Sequence, residues 1–173
     1  DRTQLMKDFY RHLSDVIVET LMLTHMHRDE LLQSVTVIGK EHMEELARNN
    51  QSFLMFSAHQ ANWEWMVAAI AQNCPCPMDA LYRPLHNAAM ETYFKQTRTR
   101  FCSAMIPADN APRTILKLRK SVRAFGMIAD QTPRRRDDKF WIQFMGTPTA
   151  VFPGPDRIAR ITSYPVLFVA TEK

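Results

Sequence analysis

At 173 residues, with 46% hydrophobic and 23% charged side chains, the chain has the size and composition of one globular domain able to bury a core. A net charge of +4 suits acidic partners such as phospholipid headgroups, phosphorylated sugars, an acidic carrier protein or nucleic acid, without choosing among them. The three cysteines, Cys74, Cys76 and Cys102, are an odd set that supports no disulfide framework and lacks the second Cys/His pair that a zinc site needs, and no apolar run approaches the ~20 residues that span a bilayer.

A reducing, cytoplasmic setting is therefore expected, and a chain without a signal-peptide pattern that works at a membrane is expected to lie on it rather than through it. His25 and His27, with no carboxylate at ligand spacing, read as solvated polar residues, so no metal is expected.

"TQLMKDFYRHLSDVIVETLML" predicts a long N-terminal helix, with Leu5, Phe9, Leu13, Val16 and Thr20 on one stripe and Thr3 as a cap. The stripe is expected to pack within the chain, with another subunit or lipid as alternatives. From residue 35 strands and helices alternate: "VTVI" strand, helix Glu41 to Arg48, "SFLMFSA" strand, helix from about Asn62, "DALY" strand, helix Ala88 to Arg100, and "AMI" strand. A helix near Arg113 to Ser121, the strand "AFGMIA", a polar loop, "FWIQF", a helix near Pro155 to Ile161, and "PVLFVA", read as a fully buried strand, complete the series. The fold class is α/β: a layered mixed, largely parallel sheet flanked by helices, with a long N-terminal helix.

"HQANWE", residues 59 to 64, lies where the strand "SFLMFSA" gives way to a helix. A histidine becomes an effective general base when a carboxylate binds its second ring nitrogen, and Glu64 is the natural candidate. On an uninterrupted helix the two side chains would stand about 140° apart. They can meet only if His59 lies in the loop and Glu64 in the first turn; the alternative is a surface His and an unrelated helix-start Glu. No Gly-x-Ser-x-Gly turn is present, and Ser57 and Cys102 fit a core or surface role better than that of a nucleophile. A His–carboxylate pair without a protein nucleophile suits direct transfer of an activated acyl group to a hydroxyl.

The motif resembles the His-x4-Glu/Asp signature of the lysophospholipid acyltransferase superfamily, and its Asn-Trp-Glu ending resembles the lipid A biosynthesis acyltransferase branch. "YRPLHNAAMETYFKQTRTRF" is similar to that family's second block, and "GMIADQTPRRRDDKFWIQFMGTPTAVFPGPDRIAR" to its Asp-Gln loop, Phe-Gly-x-Pro turn (Phe144, Gly146) and following helix; "SYPVLFV" resembles its closing strand. The four ordered blocks cover residues 35 to 173.

The resemblance implies a glycerolipid acyltransferase-like fold and a single acyltransferase domain over residues 1 to 173. The family's N-terminal membrane anchor and C-terminal part would then lie outside this chain. It implies catalysis by His59 and Glu64, with Arg83, Asn87, Arg98, Asp130 and Gln131 binding substrate. The acyl donor would be acyl carrier protein or coenzyme A, used as a substrate with no cofactor. The acceptor would be a glycolipid hydroxyl of a lipid A precursor at the cytoplasmic face of a bacterial inner membrane, without nucleic acid. Arg83 suits phosphate or phosphopantetheine, and Asp130 could orient Arg83 or the acceptor. Arg134 to Arg136 could contact phosphate or an acidic carrier. Residue by residue, plainer readings stay open: a turn at Arg83-Pro84, a cap at Asp130-Gln131, a solvated Arg run, and core packing for Trp63, Trp65 and Met66. Family members commonly carry Gly where Ala61 and Cys102 stand. An acyltransferase with another acceptor, such as a lysophospholipid, and a non-catalytic basic module for membrane or nucleic acid are the competing readings.

Overall fold

The computed structural model describes residues 1–133 and 138–172. Seven α-helices and seven strands are present among them: α1 (Arg2–Met22), α2 (Arg28–Ser34), α3 (Glu41–Arg48), β1 (Phe53–Ser57), α4 (Trp63–Asn73), β2 (Met78–Tyr82), α5 (Ala88–Thr99), β3 (Ala104–Pro107), α6 (Ala111–Leu118), β4 (Ala124–Ile128), β5 (Phe140–Phe144), β6 (Thr147–Val151), α7 (Gly154–Thr162) and β7 (Val166–Phe168). Five strands form one sheet in the order β3-β2-β4-β1-β7, every pairing parallel, while β5 and β6 form a separate antiparallel ribbon. The α/β class with its long N-terminal helix is as the sequence predicts.

Because successive side chains of a strand point to opposite faces, the continuous apolar runs of the central strands fill two layers. Phe53, Met55, Met78 and Ala124 pack with Met43, Met66 and Ile70 on one face. Leu54, Phe125 and Met127 pack with Ile106, Ile115 and Ile158 on the other. Gly126 leaves room for the first layer: a Cβ there would lie 2.5 Å from the Met78 Cε, the end of a flexible side chain that would have to shift. At the opposite edge from the site, the fully buried Asp79 of β2 accepts two 2.7 Å bonds from the Arg123 guanidinium, a charge that burial would otherwise make costly.

Several expectations are corrected. "VTVI" is not a strand; Val35 and Val37 pack as irregular chain against the core. α2 and β6 are additional elements. Asp1, not Thr3, caps α1, its carboxylate accepting from the Thr3 N–H at 2.9 Å. β7 is an edge strand pairing only with β1, so Val166 and Phe168 are exposed rather than buried. The α1 stripe packs within the chain only at Val16 and Thr20; Leu5, Phe9 and Leu13 are exposed. The inner end of α1 is fixed by the Arg100 guanidinium, which donates to the carbonyls of Leu23, Thr24 and Met26. No helix of the described residues is long and apolar enough to cross a membrane.

Candidate functional site

The register of β1 against β4 pairs Ser57 with Ile128. One alanine follows each strand, and the next residues are His59 and Asp130. Parallel pairing therefore delivers an imidazole and a carboxylate side by side at the C-terminal edge of the sheet. In open α/β sheets, this edge is where ligands bind when neighbouring strands send their chains in different directions. β4 lies between β1 and β2 although it follows both in sequence, which makes this the reversal point of the topology.

His59 is bound to Asp130 twice: its Nδ1 lies 2.6 Å from Asp130 Oδ1, and its backbone N–H donates to Oδ2 at 3.0 Å. An ionised carboxylate only accepts, so Nδ1 carries the proton and the lone pair is left on Nε2. Partial burial pushes the Asp130 carboxyl up, but the hydrogen bonds from the His59 ring and backbone N–H, with the ring's attraction, outweigh it and hold Asp130 below its ordinary value. The Trp63 ring packs edge-on against the imidazole, with centroids 5.0 Å apart, and fixes its other side.

The expected bond from His59 to Glu64 is replaced by this one. Glu64 does sit in the first turn of α4, as the dipole favours, but it is only 8% exposed and both its oxygens are taken by Arg98, from Nε at 2.9 Å and from Nη2 at 2.5 Å. Burial opposes the charge on Arg98, and the Glu64 bonds outweigh it, so the guanidinium is held protonated above its ordinary value. Phe94 lies beneath the Arg98 guanidinium, 5.0 Å from its ring centre.

Asn62 and its neighbours have architectural jobs. Asn62 caps α4 by accepting from the Trp65 N–H at 3.0 Å and donates to the Glu19 carboxylate of α1 at 2.7 Å. The Trp65 indole donates to the Glu19 carbonyl at 2.8 Å. Ala61 carries the turn with φ of +45°, a conformation that a side chain makes costly. Ala61→Gly is therefore expected to raise stability by up to about 1 kcal/mol, read from the urea midpoint at unchanged slope; a lower midpoint would show that the Ala61 methyl packs better than its backbone suggests.

Arg83 directly follows β2, the strand on the other side of β4, and its guanidinium covers the Phe152 ring at 5.1 Å. Its loop is tied down by Glu91, which accepts from the Tyr82 hydroxyl at 2.8 Å and the Leu85 N–H at 2.9 Å. Those bonds, the backbone one first, hold the Glu91 carboxyl below its ordinary value. Asn87 caps α5, its side-chain oxygen accepting from the Ala89 and Met90 N–H groups. Gln131 is exposed beside Asp130. The structure thus gathers His59, Asp130, Gln131 and Arg83 along one edge, whereas Asn87 and Arg98 are engaged in capping and in the Glu64 pair. Arg134 to Arg136 lie outside the described residues.

Sequence reasoning missed the His59–Asp130 pair and the Glu91 brace. The matching strand ends, "SAH" and "IAD", signal the first once the strand order is known. The two candidate nucleophiles are occupied: the Ser57 hydroxyl donates to the Val169 carbonyl at 2.8 Å, and burial pushes the Cys102 thiol up to about 12. No group of three or more metal-binding side chains is assembled among the described residues. Concavities of about 450 and 520 Å³ lie against α6 and beside Glu44, Arg48 and Pro75, away from His59, which is reached from the open surface.

No curated protein matches the chain. The family model described as bacterial lipid A biosynthesis acyltransferase matches residues 1–172. The chain belongs to the bacterial lipid A biosynthesis acyltransferase family.

Proposed function

We propose that the protein transfers a fatty acyl chain from a thioester donor, acyl carrier protein or coenzyme A, to a hydroxyl of a lipid A precursor, with His59 as general base. The observation that supports this reading is the pair of hydrogen bonds from His59 to Asp130, which fixes ring tautomer and orientation and leaves Nε2 for the acceptor proton. The acceptor oxygen, losing its proton to Nε2, attacks the thioester carbonyl. The tetrahedral intermediate collapses with loss of the thiolate, and the imidazolium returns the proton to that sulfur. Asp130 stabilises the imidazolium between the two steps. Products are the ester and the free thiol, with no cofactor involved.

Arg83 and Gln131, on the same edge, are assigned to the anionic and polar groups of donor or acceptor, since a guanidinium fork matches phosphate oxygens. Glu64 enters the site through Arg98, which it holds beside α4. The reaction is assigned to the cytoplasmic face of the inner membrane, with the chain peripheral to it.

The test is acyl transfer to a lipid A precursor with each thioester donor, product read by mass spectrometry. His59→Ala is expected to lower kcat by about 10²- to 10⁴-fold, the usual contribution of a positioned base. Undiminished turnover in His59→Ala would remove the imidazole from the mechanism. Transfer to a lysophospholipid but to no lipid A precursor would move the acceptor assignment.

A further inference from the structure

No residue of the β5–β6 ribbon is buried. Phe140, Trp141 and Phe144 are each about 60% exposed and Ile142 is exposed as well, although these residues alternate between both faces of the ribbon. A two-stranded ribbon is marginal in water by itself, and one that shows water two aromatic faces marks an interaction surface.

The tip adds an independent observation. Met145 and Gly146 form the two-residue turn with φ of +50° and +77°, positions where Asn, Asp or Gly is favoured. The chain instead accepts a methionine in left-handed backbone, and that side chain is 89% exposed. Backbone strain spent on presenting an apolar side chain to the outside points to something that receives it.

We infer that this ribbon docks the protein on an anionic lipid bilayer, inserting Met145, Phe144, Trp141 and Phe140 at the headgroup level. Charge selects that occupant: residues 133–160 carry six Lys and Arg against three Asp, so the segment holding the ribbon is net positive in sequence. Lys139, adjoining Phe140, is exposed. Aromatic side chains flanked by basic ones are the composition that settles at an anionic membrane interface. The base of the ribbon is fixed to the body of the protein. Arg157 of α7 binds Asp138 at 2.6 Å, and Phe152, just beyond β6, lies under Arg83. A docked ribbon therefore brings the bilayer to the sheet edge that carries His59. The inference rests on the reading of the acceptor as a membrane lipid.

Vesicle binding tests it without any activity measurement. With vesicles of about three parts phosphatidylglycerol to seven of phosphatidylcholine, the chain is expected to cosediment and its tryptophan emission to shift to the blue, whereas pure phosphatidylcholine binds it far less. Trp141→Phe is expected to abolish the emission shift while retaining binding. Met145→Asn, which suits the turn and so threatens folding least, is expected to weaken partitioning by about tenfold without lowering the melting temperature. Failure of the wild-type chain to bind, or equal affinity in Met145→Asn and a Phe140→Ser/Phe144→Ser variant, would overturn the inference. So would concentration-dependent dimerisation that these variants abolish, since a second copy would then occupy the ribbon. Ribbon-dependent vesicle binding in a chain without acyl transfer would sustain the docking surface and count against the enzymatic reading. Transfer to a detergent-dispersed acceptor, with vesicle affinity equal in all variants, would do the reverse.

Discussion

Asp130→Asn is expected to lower kcat for acyl transfer by about 10²- to 10⁴-fold, nearly as much as removal of His59, with little change in KM. The reason is the proton on the ring. The Asp130 carboxylate accepts from Nδ1 at 2.6 Å and so keeps the lone pair on Nε2. An asparagine can offer its amide N–H to that nitrogen, which draws the proton to Nε2 and leaves no base facing the acceptor. It also withdraws the negative charge that stabilises the imidazolium. Glu64→Gln preserves the ring's own contacts and is expected to act mainly through stability, because both Glu64 oxygens belong to Arg98. A variant pair that behaves the other way, with kcat retained in Asp130→Asn and lost in folded Glu64→Gln, would return the carboxylate role to Glu64. Folding of both variants is read from the urea transition, so that loss of kcat and loss of structure are separated.

Arg98→Met is expected to cost about 3–5 kcal/mol of folding stability. It leaves the Glu64 carboxylate, only 8% exposed, without its two guanidinium bonds. The double variant Glu64→Leu/Arg98→Met is expected to recover most of that loss, because a buried ion pair replaced by apolar groups of similar volume is often neutral. The double-mutant cycle by urea denaturation measures the coupling. Additive losses in the two single variants would show that the pair contributes nothing beyond its separate side chains.

The sequence by itself determined the local pieces, because their signals are local. The apolar runs "SFLMFSA" and "AFGMIA" predict strands that became β1 and β4, and "HQANWE" is legible as a strand-to-helix junction with a carboxylate in the first turn of α4. The resemblance of four ordered blocks pointed to the family that the match over residues 1–172 shows. "VTVI" failed because alternation of Val and Ile gives a strand only where the segment pairs with a sheet, and here Val35 and Val37 are buried by packing on the core without pairing.

Which carboxylate meets His59 was decided only by tertiary structure. Proximity in sequence favours Glu64, five residues away, whereas the contact is made with Asp130, 71 residues away. The order β3-β2-β4-β1-β7 sets β4 directly beside β1, and the register Ser57 to Ile128 aligns the residues that follow each strand. Arg98, 34 residues beyond Glu64, takes both oxygens of the nearer carboxylate in the same way. Strand order and helix packing are settled by burial of whole apolar faces, a property of the assembled sheet that no window of sequence contains.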